Sequence, residues 1–435
     1  MKKPSVIIET LSAEGRGIGH LEGGKTVFVE GALPGETVRI KHMNHKRHYA
    51  EAVVDTLEIP SMHRVTPQCA VFGVCGGCVL QHLAPTQQLH HKFLQLQDAL
   101  TRIAGVTPLS YDEPVTGPAW NYRHKARLGV RWVYKQDRVL IGFRERKTHH
   151  LTDMRRCEIL PAEVGERLEL LQQAVYRCSQ RDRIPQIEVA FDEAGFALVF
   201  RVLYELTAED RAVLSELALV LPARLFLQPG DASTVIPLNE NSSPTLEYTL
   251  PAFDLRLSYS PTDFIQVNPV VNRKMVDLAL QWLNVSPADR VLDLFCGIGN
   301  FTLALARRAA QVVGVEGDAA MIRTARANAV RNGLTQVEFY TDDLTQNPLV
   351  AAWLRSPYDV LLLDPPRTGA EAVIKQIERI KPKRILYVSC HPASLARDAA
   401  MLVREFGYTL IRATVLDMFP HTAHVESMAL FERDR

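Results

Sequence analysis

The stretch VLDLFCGIGNFTLALA at 291–306 constrains the fold more than any other part of this 435-residue chain. It opens as an apolar run, as in a strand buried on both faces. Gly297 and Gly299 turn the chain, and FTLALA reads as a buried helix. Strand, glycine turn and helix make the first unit of a doubly wound α/β sheet. The rest of the C-terminal part repeats the unit. A helix at 270–284 precedes it, and VVGVE, a helix at 318–331, VEFY, DVLLLD, a helix at 370–380, RILYVS and a helix at 392–405 follow. Two strands, TLIRATVLDM and VESMALFER, close the chain. This alternation predicts a parallel sheet with helices on both faces.

A dinucleotide site wants G-x-G-x-x-G, but the third position here is Thr302, which weakens a nicotinamide reading. Glu316 ends the second strand, seventeen residues beyond Gly299, where an acid can accept both hydroxyls of a ribose. A ligand with a ribose and no pyrophosphate fits, and S-adenosylmethionine is such a ligand. Another doubly wound protein with a glycine-rich turn would share the motif. Asp364 ends a later strand before a rigid Pro365-Pro366, over the same crevice. A related Asp/Asn-Pro-Pro-aromatic motif serves amino-group methylation. Arg367 replaces the aromatic here and disfavours that chemistry.

Cys390 follows a strand and precedes a helix beginning at Pro392. A helix N-terminus favours a thiolate, and the bland alternative is a small buried residue at a strand end. A thiolate suits methylation of a pyrimidine at C5, which is too weak a nucleophile by itself. Thiolate addition at C6 turns the ring into an enolate with electron density at C5. A base must then remove the C5 proton. Glu426, at the start of an apolar strand, is the preferred base, with His421 and His424 as the alternatives.

Upstream, residues 1–60 read as short strands and turns, hence a small β-barrel, and 61–262 as a second unit, with 263–435 as the α/β unit. Leu89, Phe93, Leu96 and Leu100 place a helical segment at 86–105, expected to pack on the α/β unit. Residues 120–260 read as β-rich with one helix near 162–178, and 225–248 as turn-rich hairpins or loops. No apolar run reaches the length of a membrane span. Val6-Ile7-Ile8 is too short for a signal-peptide core, so a cytoplasmic location is expected. Clustered cysteines in a reducing compartment are metal ligands or catalytic groups rather than disulfides. Three of the seven cysteines fall in CAVFGVCGGC at 69–78.

A net charge of +1 is uninformative, but its distribution is not. RIKHMNHKRH carries four Lys/Arg and no acid, and 120–156 carries eleven Lys/Arg against three acids. Trp120, Tyr122, Trp132, Tyr134 and Phe143 are interleaved with the latter. Cations along a phosphate backbone and aromatics under unpaired bases give one reading. A solvated strand face with core aromatics behind it gives the other.

CAVFGVCGGCVLQH, DFIQVN, VLDLFCGIGNFTLALA, DPPRTGA, YVSCHPASLARD and LDMFPHTAHVESM, in this order, resemble the bacterial RNA uracil-C5 methyltransferases, in particular the branch acting on 23S rRNA. The resemblance implies a multidomain chain: an N-terminal TRAM/OB-like barrel, a central β-rich iron–sulfur domain and a C-terminal Rossmann-like methyltransferase domain. It implies Cys390 as nucleophile and Glu426 as base. It implies S-adenosylmethionine contacts from Gln266, Phe295, Asn300, Glu316, Asp343 and Asp364. It also implies a [4Fe–4S] cluster on Cys69, Cys75, Cys78 and Cys157. The spacing C-x5-C-x2-C with a remote Cys is closer to iron–sulfur ligation than to paired zinc knuckles, zinc being the alternative. The radical-type C-x3-C-x2-C pattern is absent. Cys178 and Cys296 are left as ordinary buried thiols.

The implied partner is a single-stranded or loop segment of 23S rRNA with a flipped uridine. No membrane and no protein partner are implied, and a monomer is expected. The alternatives are an enzyme for another 23S or tRNA uridine, and a non-catalytic iron–sulfur RNA-binding factor. One departure stands out: the family has Asn after the nucleophile, and this chain has His391.

Overall fold

The computed structural model describes residues 4–239, 245–346, 351–354 and 356–433. Strands Ser5–Leu11, Gly17–His20, Thr26–Glu30, Thr37–His45 and Tyr49–Ile59 close into a barrel. Alternation along them sends Val6, Ile8, Val27, Val29, Val38 and Ile40 inward. Closure leaves no free sheet edge. The buried Glu36 ties the barrel to the cysteine segment: its carboxylate accepts from the Leu33 and Ser61 N–H groups and from the Arg64 guanidinium. Glu30 of the barrel pairs with Arg146 at 3.0 Å.

The middle of the chain builds a six-stranded sheet in the order Ile236–Pro237, Arg224–Gln228, Gly195–Arg201, Gln186–Asp192, Lys125–Val133, Arg138–Gly142. The helix expected near 162–178 is two pieces, Ala162–Gly165 and Leu168–Arg177. A further helix, Ala208–Val220, was not anticipated. Its signal was a cap: the Thr207 hydroxyl accepts from the Asp210 N–H at 3.1 Å. Its apolar residues lack a clean helical period, and tertiary packing of Leu214 and Leu217 decides the outcome. The turn-rich stretch contains short strands at Arg224–Gln228 and Ile236–Pro237, while its residues 240–244 lie outside the described residues.

The C-terminal sheet has eight strands in the order Val337–Thr341, Gln311–Glu316, Arg290–Leu294, Val360–Leu363, Arg384–Ser389, Glu426–Glu432, Thr409–Leu416, Ser110–Tyr111. Strand Glu426–Glu432 runs antiparallel to both neighbours. The order reverses direction between Arg290–Leu294 and Val360–Leu363, which places a crevice beyond their carboxyl ends. The expected helix at 370–380 is two short ones, Glu371–Ile374 and Ile377–Ile380.

The segment after the cysteines completes this unit from a distance in sequence. Helix Pro85–Asp98 continues through a wider π-helical turn at Ala99–Ala104, and Gly105 ends it at φ +62°. Leu96, Leu100 and Ala104 share a core with Leu395, Ala399 and Leu402 of helix Pro392–Arg404. Strand Ser110–Tyr111 then pairs in parallel with Thr409–Leu416.

Candidate active site

The crevice is built from the glycine turn upward. Phe295 leaves its strand at φ +65°, and Gly297 and Gly299 follow at +56° and +95°. Such angles are cheap for glycine and costly for Phe. The Phe295 and Cys296 N–H groups donate to the Val315 carbonyl at 2.9 and 3.1 Å. Glu316 is pinned against the turn: one carboxylate oxygen accepts from the Gly297 N–H at 3.2 Å. The other accepts from Gly317 and Asp318 N–H groups at 2.7 and 3.1 Å. Below the turn, Asp293 is fully buried and accepts from the Thr302 hydroxyl at 2.5 Å. Burial pushes its pKa up to about 8, so it holds a proton at neutrality.

A cavity of about 600 Å³ lies over these strand ends. Gln266, Phe295, Asn300, Glu316, Asp343, Asp364, Cys390 and Glu426 all line it. The Asn300 amide is oriented from behind by the Tyr248 hydroxyl at 2.9 Å and by a reciprocal pair with Asn272. Asp343 accepts from the Thr345 N–H and hydroxyl, which holds its carboxyl below the usual range. Tyr248, Phe264, Met321, Arg367 and Phe419 also line it and were not singled out as site residues. Their only signal was proximity to motifs: Phe264 within DFIQVN, Arg367 within DPPR and Phe419 within LDMFPH. Cys296, expected as an ordinary buried thiol, is buried and lies on this wall.

Two adjacent strands present the reacting groups. Ser389 pairs with Ser427 across the antiparallel ladder, so Cys390 and Glu426 stand at the next position on each strand. His391 caps the following helix, its Nδ1 accepting from the Ser394 N–H at 3.3 Å. An Asn carboxamide at this position would have the same task, which accounts for the departure from the family pattern.

The electrostatics correct one expectation. The Cys390 thiol is pushed up to about 11, first by burial and then by Glu426 and Asp364, against Arg367. Glu426 is itself raised to about 8, first by burial and then by Asp364, with Arg367 and Lys92 opposing. Asp364 rises to about 7 through burial and Glu316. The cavity is therefore crowded with carboxyls that give up their protons near neutral pH.

His421 does not line the cavity. Its ring stacks on Trp120 with centroids 3.8 Å apart, and burial pushes its pKa down to about 4. His424 turns its Nδ1 to the Arg367 guanidinium at 3.1 Å.

A second, smaller cavity is lined by Cys69, Cys75, Cys78 and Cys157 together with Phe72, Phe143 and Met154. All four are free thiols. Burial pushes Cys78 to about 11 and Cys157 to about 12. The Gly77 N–H points at Cys75 Sγ, 3.4 Å away. Among the described residues, no group of three or more His, Cys, Asp or Glu side chains closes on a single metal ion.

The basic–aromatic stretch is only partly a surface. Tyr122 is buried with its hydroxyl on the Pro420 carbonyl, Trp120 is under His421, and Phe143 faces the cysteines. Lys125 is mostly buried beside Glu188. Alternation along Lys125–Val133 sends Arg127 and Arg131 outward instead. With Arg144 and His149 they line a groove of about 410 Å³.

Comparison with known proteins places this architecture. Residues 3–54 match the TRAM domain, and residues 242–434 match the tRNA (Uracil-5-)-methyltransferase family. The chain is 48% identical to a 23S rRNA (uracil(1939)-C(5))-methyltransferase RlmD of Alkalilimnicola ehrlichii, over 99% of this chain and 96% of that protein. The chain belongs to the RNA uracil-C5 methyltransferase family. A second member, the RlmD protein of an Azoarcus species, is 48% identical over 99% of this chain and its own full length. A solved structure of the Pyrococcus abyssi tRNA (uracil-54, C5)-methyltransferase, in complex with S-adenosyl-L-homocysteine, superposes with a TM-score of 0.75. It covers 98% of this chain at 24% identity, so the likeness is one of fold. Among the described residues, no helix is long and apolar enough to cross a membrane.

Proposed function

We propose that this chain transfers the methyl group of S-adenosylmethionine to C5 of one uridine in 23S rRNA, the position that its relatives' names give as 1939. One observation carries the reading: Cys390 and Glu426, side by side on two strand ends, share a cavity with the glycine turn and Glu316. The donor set suits that cofactor. Glu316 can accept from ribose hydroxyls, and the acidic wall suits a sulfonium cation. Gln266, Phe295, Asn300, Asp343 and Asp364 form the rest of the holding surface. When bound, S-adenosylmethionine supplies an electrophilic methyl group.

The protein's own groups do the rest. Cys390, as thiolate, forms a bond from Sγ to C6 of the uracil, and the C5–C6 electron pair becomes an enolate. C5 uses that pair to bond the methyl carbon, whose bond to the donor's sulfonium sulfur breaks with its electron pair left on sulfur as the neutral thioether. Glu426 takes the C5 proton, the double bond re-forms, and the C6–S bond breaks to return the thiolate. Purified protein with a 23S rRNA fragment and labelled methyl donor should give 5-methyluridine at a single position. Cys390→Ala should give none while still binding cofactor. Methylation of tRNA and not of 23S rRNA would overturn the substrate assignment.

RNA binding is assigned to the barrel at 1–60 and to the arginine-lined groove of the unit at 61–262, and catalysis to 263–435 with the helical segment 86–105 packed on it. Cys69, Cys75, Cys78 and Cys157 would hold the [4Fe–4S] cluster. In support, the donor set is all sulfur, and all four cysteines line one small cavity. Protein purified without oxygen should be brown and contain about four irons per chain. Stoichiometric zinc without iron would refute the cluster.

A further inference from the structure

The loop between strands Thr409–Leu416 and Glu426–Glu432 carries Phe419 to the cavity wall and ends at Glu426. It is held from outside its own sheet. Gln88 and Lys92 lie one turn apart on helix Pro85–Asp98, and both side chains are buried. Lys92 Nζ donates to Asp417 at 2.7 Å and to the Phe419 carbonyl at 2.8 Å. Gln88 Oε1 accepts from the His421 N–H at 2.9 Å, and its amide nitrogen lies 3.2 Å from His421 Nδ1. The same nitrogen donates to the Leu80 and Leu83 carbonyls.

The cysteine segment closes the other side. Val79 and Leu80, directly after Cys78, both donate their N–H groups to the His421 carbonyl, at 2.9 and 3.0 Å. His421 thus meets the cysteine segment, the helix and Trp120 at once. It does so at φ +65°, a left-handed conformation uncommon outside glycine. Its Nε2 is buried with no well-aligned hydrogen bond among the described residues. A residue this constrained, outside the cavity and five positions before Glu426, has a mechanical use that neither its sequence nor its ring chemistry announces.

We propose that His421 is a positioning residue for the proton-abstraction step. Through it, the cysteine segment and helix Pro85–Asp98 set where the loop delivers Glu426. The inference rests on Glu426 being the base. It predicts that disturbing the clamp damages the late step of the reaction and spares the early one. Addition by Cys390 and methyl transfer start from strand Arg384–Ser389 and the glycine turn.

The test separates the two steps. Single-turnover reactions with labelled methyl donor and an rRNA fragment give the rate of methyl capture. Denaturing gels give the rate at which the methylated covalent RNA–protein adduct resolves. His421→Ala and Gln88→Leu should slow adduct resolution by about 10- to 100-fold, the scale on which misplacing a general base acts. Methyl capture and cofactor affinity should change by less than about twofold. His421→Asn should restore much of the resolution rate, because Asn tolerates the positive φ that lets the residue's N–H and C=O keep their bonds to Gln88, Val79 and Leu80. Glu426→Gln is the control: it should trap the adduct outright. Normal product release by Glu426→Gln would overturn the assignment of the base. A trapped adduct there, with normal resolution in both clamp variants, would overturn the clamp alone. Equal losses of capture and resolution in both clamp variants, unrelieved in His421→Asn, would also overturn it, since a general structural defect spares neither step.

Discussion

At alkaline pH, replacing Glu426 by Gln should make Cys390 more reactive in the very variant that cannot finish a turnover. The thiol stands at about 11 instead of 9.0, with burial the largest cause and Glu426 the largest of the charges. Taking away that charge leaves the burial in place and removes one repulsion against the thiolate. The thiolate fraction should rise on the order of tenfold, the effect of about one unit of pKa. The gain must depend on pH in a particular way. Glu426 repels only when ionised, and its own pKa is about 8. Below about pH 7 both proteins present a neutral group at position 426, and their thiols should behave alike. Above about pH 8 the wild-type thiol faces a carboxylate and the variant thiol does not. Alkylation of the apoprotein by iodoacetamide, followed at the Cys390 peptide by mass spectrometry, reads this directly. Superimposable profiles up to about pH 10 would show that Glu426 and Cys390 do not interact. A gap of the same size at low pH would mean altered packing rather than charge.

Cofactor affinity should strengthen as pH rises through the region from about 7 to about 8, where Asp364 and Glu426 ionise. Both are neutral below that window and meet a cation poorly, so binding under neutral conditions should release protons. Calorimetry in buffers of different ionisation enthalpy would show this, and a pH-independent affinity without proton release would refute it. Arg131→Ala with Arg144→Ala should weaken RNA binding at every sequence and lower the salt dependence by about two counterions. Lys125→Ala should instead act through stability, because that ammonium is mostly buried against Glu188. Filter binding at several salt concentrations separates the two effects. His391→Asn should be close to neutral in thermal stability, and His391→Ala should cost about 1 kcal/mol as the helix cap is lost.

Much of the crevice could be read in the linear sequence, for a topological reason. In a doubly wound sheet the residue after each strand reaches the same edge. Phe295, Glu316, Asp364 and Cys390, each at or just past a strand end, therefore face one cavity. What could not be read is what distant residues do to those positions. A helix N-terminus after Cys390 is visible in sequence, but the burial of the thiol and its neighbours Glu426 and Asp364 are not, and together they raise it where a lowering was expected. Trp120, Tyr122 and Phe143 have the spacing of a stacking surface, yet they pack against the 417–424 loop and the cysteines. Alternation gives the period of a strand without saying which face is covered. Ser110–Tyr111 is two residues long and becomes a strand only because Thr409–Leu416, some three hundred residues later, offers an edge.

The raised thiol and the raised carboxyls have a common origin, and together they argue for how the site is kept idle. Taken one at a time, each shift looks unfavourable: a nucleophile that holds its proton, and a base that is mostly protonated at neutral pH. All three groups line one cavity; Arg367 lowers the shifts of Cys390 and Glu426, and Lys92 that of Glu426, without cancelling them. Such a cavity lacks one positive charge. A sulfonium entering it would favour the ionised form of every one of these groups at once, since each interacts with the same space. The donor's charge would then offset part of the repulsion between the thiolate and the carboxylates. An empty site would hold Cys390 as an unreactive thiol, protected from alkylation and oxidation, because thiol reactivity follows thiolate content. The alkylation profile of Cys390 should accordingly shift to lower pH with a bound cationic cofactor analogue, and stay where it is with S-adenosylhomocysteine, which has the same shape without the charge.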